Sequence, residues 1–105
     1  MSELQEYKKI LQENIYLLGY QELRYSIFAG EENNREEFQI RIEYKNSQFE
    51  VYVTADRASV RGKKVFNDFF DAEYAFLQKM QLAILINRKR VKDDEEPEYD
   101  CPLWN

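Results

Sequence analysis

The chain has 105 residues, the size of one small domain, and its 44% hydrophobic and 15% aromatic content can supply one core. A single cysteine, Cys101, excludes an internal disulfide and a cysteine-rich metal site, and the lack of histidine removes the usual general base and the commonest metal ligand. The net charge of −5 is segregated: residues 93–105 hold six acidic residues and no basic one, whereas residues 1–92 hold 14 acidic and 15 basic, a poor balance for a broad nucleic-acid-binding face.

No apolar run approaches the roughly 18 residues needed to cross a bilayer. The opening Met-Ser-Glu-Leu-Gln-Glu lacks the basic start and apolar stretch of a signal peptide, so a cytoplasmic location is expected.

The first predicted element is a helix over about 3–18. Ser2 is its N-cap, with Gln5 completing a capping-box pattern. Leu4, Tyr7, Leu11, Ile15 and Leu18 recur at helical spacing, and Gly19 can take the left-handed turn that ends it. Three strands follow. Leu23, Tyr25 and Ile27 alternate with Arg24, Ser26 and Phe28; the polar run 30–35 reads as a hairpin loop. Phe38, Ile40, Ile42 and Tyr44 then alternate with polar neighbours. Asn46-Ser47 is a turn signal, after which Phe49, Val51 and Val53 alternate with Glu50, Tyr52 and Thr54. This pattern predicts an antiparallel meander covered on one face, with Arg24, Phe28, Arg41, Glu43, Glu50 and Tyr52 on an exposed face. A short fourth strand near 58–60 or 64–66 is only weakly signalled.

A second helix is predicted from Asn67 or Asp68 to about Arg90. Its run Leu82-Ala83-Ile84-Leu85-Ile86 is apolar on every side, so it should be buried more than halfway around. Either the segment with Leu103 and Trp104 covers its far side, which is the favoured reading, or another chain does. The stretch 93–100 reads as an acidic extended linker. The fold class expected is therefore α+β in the order α-β-β-β-α, a three- to four-stranded sheet with both helices on one face, forming one domain over 1–105 with 93–105 as an acidic tail.

The chemistry available is narrow. Without histidine no Ser-His or Cys-His pair exists, Cys101 stands among acidic residues that raise a thiol's pKa, and three glycines cannot build a phosphate loop. Carboxylate-only catalysis needs a deep cleft that a chain this size seldom provides. The acidic tail lacks the spacing and glycine of a calcium loop; it is either a solvated linker or a lure for a basic partner. No catalytic residue, metal ligand or cofactor is expected. Candidate partner-binding residues are Asp93, Asp94, Glu95 and Glu96, followed by Asp56 and Arg57, for which structural bracing is an equal alternative. The mixed charge and two aromatics of the exposed sheet face offer a second reading, a nucleic-acid-associated or phage-defence regulator.

Several segments together resemble a family of small bacterial immunity proteins, the one numbered fifty-nine in the polymorphic-toxin immunity series. They are Leu23-Arg24-Tyr25-Ser26-Ile27-Phe28, the strand at 40–44, and Tyr52-Val53-Thr54-Ala55-Asp56-Arg57-Ala58-Ser59 followed by Gly62. Phe66, Phe69-Phe70, Asn87-Arg88, Tyr99 and the closing Pro102-Leu103-Trp104 complete the match. The resemblance implies a cytoplasmic antidote, encoded beside a secreted or contact-delivered toxin, that binds the toxin's C-terminal domain and blocks it without chemistry of its own. It carries no map of the toxin contact. Asp100-Cys101 stands where the family pattern leads one to expect a small hydroxyl residue.

Overall fold

The computed structural model describes residues 2–105. Helix α1, Glu3–Leu18, has the predicted capping box: the Ser2 hydroxyl accepts from the Gln5 amide while the Gln5 side chain accepts from the Ser2 amide. At its other end Gly19 adopts φ 74°, and the Gly19 and Tyr20 amides donate back to the Tyr16 and Ile15 carbonyls, which satisfies carbonyls the helix would otherwise leave open. Leu11 and Ile15 are its buried residues.

Four strands follow: β1 Tyr25–Ile27, β2 Ile40–Lys45, β3 Gln48–Thr54 and β4 Val60–Phe66, arranged side by side in chain order. β2 and β3 form a hairpin closed by Asn46 and Ser47, both at positive φ, as a tight two-residue turn between twisted strands requires. β4 pairs antiparallel with β3. The α+β class and the helices on one face are as expected, but one pairing is not: β1 runs parallel to β2. Residues 28–39 are therefore not a hairpin loop. They form a crossover connection of the length a parallel pair needs, here without a helix. β4 is longer than its signal promised, because almost all of it is exposed and neither face imposes an apolar alternation.

Helix α2, Phe69–Lys92, is capped by Asp68 and lies on the face of the sheet that carries Ile40, Ile42 and Val51. It buries Phe69, Ala72, Phe76, Met80, Ile84 and Asn87, one stripe at helical spacing. Among the described residues no helix is long and apolar enough to cross a membrane.

The opposite face corrects the sequence reading. Arg41 and Tyr52 are 0% exposed and Glu43 only 4%, because residues 28–39 lie across them. The Arg41 guanidinium donates to the Gly30 and Asn33 carbonyls at 2.8 and 2.7 Å, to Gln39 Oε1 at 2.6 Å and to the Tyr52 hydroxyl at 3.1 Å, and pairs with Glu43 at 3.0 Å. Glu43 accepts in turn from the Gly30 amide. Polar alternation marked this face as wet; a polar loop supplies the hydrogen bonds that water would have made.

The C-terminal segment corrects a second expectation. Trp104 is buried, with its indole N–H donating to the Tyr99 carbonyl, and Tyr99 takes the Arg24 amide on its hydroxyl. The Asn87 side chain donates to Glu98 and accepts from its amide, so the stretch after α2 is tied back rather than free. Cys101 Sγ donates to the Glu22 carbonyl at 3.6 Å. The segment thus fills the space between the end of α2 and the connector from α1 to β1. It does not cover Leu82, Leu85 and Ile86, which stay 49, 57 and 41% exposed.

Two outcomes are expected in denaturant melts. Trp104→Ala should cost about 3–5 kcal/mol, as for other buried aromatic truncations. Arg41→Met should cost about 3–5 kcal/mol, because it leaves the Glu43 carboxylate buried without its cation. A melt unchanged from wild type would refute either assignment.

Candidate partner-binding surface

Asp56 and Arg57 sit in the turn 55–59, immediately after β3. The Ala55 amide donates to the Ser59 carbonyl and the Ser59 hydroxyl to the Asp56 carbonyl, closing the turn on itself. Arg57 and Ala58 take φ 59° and 56°, a left-handed conformation that non-glycine residues adopt only when the surroundings hold it. Here the Glu37 carboxylate accepts the Arg57 amide. Bracing therefore uses the backbone, and both side chains project into solvent.

Asp93 and Asp94 end α2. The Asp94 and Glu95 amides donate to the Val91 and Arg90 carbonyls, with Asp94 at φ 59°. Asp93 pairs with Lys89 at 3.1 Å; Asp94, Glu95 and Glu96 make no ion pair among the described residues. Carboxylates at a helix C-terminus oppose the helix dipole, and only Asp93 offsets this with an ion pair among the described residues.

One groove has lining residues close in sequence to each cluster. Of about 120 Å³, it runs between α2 and the sheet, lined by Phe38, Val53, Thr54, Lys79, Leu82, Ile86 and Glu98. Thr54 leads into the 55–59 turn, and Glu98 follows the acidic run. The groove continues toward β4 in a second hollow of about 150 Å³ lined by Val51, Lys64, Lys79 and Leu82.

Sequence reasoning signalled β4 only weakly and did not foresee its bulge. The strand has an irregularity opposite Tyr52: Val51 pairs with Lys64 and Val53 with Arg61, so three steps on β4 match two on β3. Gly62, at φ 63°, permits the bulge. The extra residue places Arg61 and Lys64 on the same side as Val51 and Val53, facing α2, where an unbroken strand would separate them. A glycine amid Arg61-Gly62-Lys63-Lys64 was the available signal.

Lys63 turns to the other face. It reaches Glu31 at 3.1 Å and Glu50 at 3.2 Å and lies 5.1 Å over the Tyr52 ring. Hydrogen bonds from Lys63 and then Lys45 hold the Glu31 carboxyl below its ordinary range. Desolvation pulls the Lys63 ammonium down, but its two carboxylate partners outweigh this and raise it.

A cleft of about 430 Å³ lies between the starts of the two helices and the β2–β3 hairpin. Of its polar groups, Ser2 and Asp68 cap helices, the Asn67 side chain accepts from Gln48 and the Tyr7 hydroxyl donates to Glu3. Tyr7 stacks on Phe69 at 4.0 Å, which makes the cleft the rim of an aromatic core.

The surface thus combines exposed charge with an apolar groove, while the buried Arg41–Glu43 cluster is committed to the fold. Comparison with protein families gives the class: the chain matches the model for immunity protein 59 (Imm59) over residues 4–105 and belongs to that family. No curated protein and no solved structure matches it.

The Glu31–Lys63 pair yields a pH test. A carboxyl lowered on folding adds stability above the ordinary carboxylate pKa of about 4.3 and loses it as pH falls through the lowered value. Glu31→Gln should cost less than about 1 kcal/mol at neutral pH, since the pair is partly exposed. Its difference from wild type should vanish on acidification; a difference that stays constant with pH would refute the pairing.

Proposed function

We propose that the chain is the antidote to a cognate bacterial toxin, acting in the cytoplasm as one domain that binds the toxin's C-terminal domain and blocks it by occlusion, without catalysis. The observation that carries this reading is membership of the immunity protein 59 family across nearly the whole chain. The acidic groups at the end of α2 support it, because they oppose the helix dipole and are exposed, which suits a role in meeting a partner.

In this reading Asp93, Asp94, Glu95 and Glu96 steer a basic toxin surface toward the chain, and Asp56 with Arg57 meets it at the turn beside the groove. The alternative of a nucleic-acid regulator using the sheet face loses its support, since Arg41 and Tyr52 lie beneath residues 28–39.

The test is binding kinetics against the toxin domain encoded beside this gene, with toxin activity read in parallel. Binding should abolish toxicity. Neutralising the four acidic residues together should slow association several-fold at low salt and less at high salt, where charges are screened over about 8 Å or less. Changing Asp56 or Arg57 should instead speed dissociation. An association rate indifferent to these charges and to salt would reject the steering role, and failure to bind the toxin domain would reject the function.

A further inference from the structure

β4 is an edge strand whose outer side pairs with nothing among the described residues, and its exposure runs from Val60 to Val65. Such an edge presents unmet backbone donors and acceptors. Beside it, on the helix side, stand three cations without a carboxylate partner among the described residues: Arg61, Lys64 and Lys79. The first two are brought to that side by the Gly62 bulge, and Lys79 Nζ lies 3.6 Å from where a Cβ on Gly62 would be. Next to them α2 exposes Leu82 and Ile86. Backbone pairing groups, cations and an apolar wall therefore line one continuous strip.

We propose that this strip receives an extended acidic segment of the toxin domain as a fifth strand. The segment pairs through its main chain with β4, sets carboxylates against Arg61, Lys64 and Lys79, and lays apolar side chains along Leu82 and Ile86. This inference rests on the toxin-binding reading above and names the surface that performs it. Main-chain pairing of this kind gives affinity, while the alternating side chains give selectivity.

The charges decide against a second copy of the chain as occupant. Pairing β4 with its own image across a two-fold axis would oppose Arg61, Lys63 and Lys64 to the same cations, and like charges facing across strands are destabilising. Cations also serve to keep edges unpaired. That role does not require a bulge that turns two of them toward an apolar groove.

Hydrogen exchange of the full chain, alone and with the toxin domain of the adjacent gene, tests the proposal. The expected result is protection of amides in 60–66 and in 79–86 on complex formation. The double variant Arg61→Glu with Lys64→Glu, and separately Lys79→Glu, should each raise Kd by about tenfold or more with melting behaviour unchanged. A tight complex in which β4 exchanges as in the free chain, with wild-type affinity in both variants, would overturn the strand addition while leaving the antidote function standing. Absence of any complex would overturn both. Protection of the same amides by a 20-mer single-stranded RNA rather than by the toxin domain would assign the strip to nucleic acid. Protection with concentration-dependent dimerisation of the chain alone would assign it to a second copy. Either result would overturn the proposal.

Discussion

The Arg41 guanidinium is the interaction on which the architecture turns. A fully buried cation is costly unless its charge and its donors are matched, and here a carboxylate, an amide side chain, a phenol and two backbone carbonyls match it. The carbonyls come from Gly30 and Asn33, so satisfying Arg41 fixes the path of residues 28–39 across the sheet. That path carries the chain from β1 to β2 in the parallel sense. Thr54 and Gln39 fasten the far end of the same connection, where the Gln39 amide donates to the Thr54 hydroxyl and that hydroxyl donates to the Glu36 carbonyl.

With one sheet face closed by this polar loop and the other by two helices, little of the sheet remains open. The β4 edge and the flank of α2 next to it are among the open parts. α1 shields the other flank, where Asn14 donates to Glu73, and the C-terminal segment seals the end of α2 around Trp104. Leu82, Leu85 and Ile86 are left uncovered by any element among the described residues. This apolar exposure is what the proposed docking strip is built on.

That surface is bipolar. Lys64 and Lys79 line one end of the groove, and Glu98, which follows the acidic run in sequence, lines the other. Unlike a uniformly charged face, a bipolar strip fixes the orientation of what binds it, because reversing the partner sets like charges together. Exposed charges act mainly on encounter and register, whereas desolvated apolar contacts hold the complex. The two classes of residue lie side by side along α2.

Local physics was legible in the sequence. The capping box of α1, its Gly19 stop, the Asn46-Ser47 turn and the Asp68 cap depend on neighbours within a few positions, and each appears where the residues call for it. α2, by contrast, buries a single stripe rather than being covered more than halfway around as expected. The charge segregation and the absence of histidine were equally plain, as was the resemblance to the immunity family. What tertiary structure alone decided were matters of long-range pairing. The same alternation of Ile40, Arg41, Ile42 and Glu43 fits a face wetted by solvent or one covered by a polar loop, since both satisfy hydrogen bonds. Strand direction leaves no trace in a three-residue strand such as β1. The burial of Trp104 against the end of α2 rather than over Leu85 was likewise beyond local pattern, because an apolar residue specifies that it will be covered but not by what.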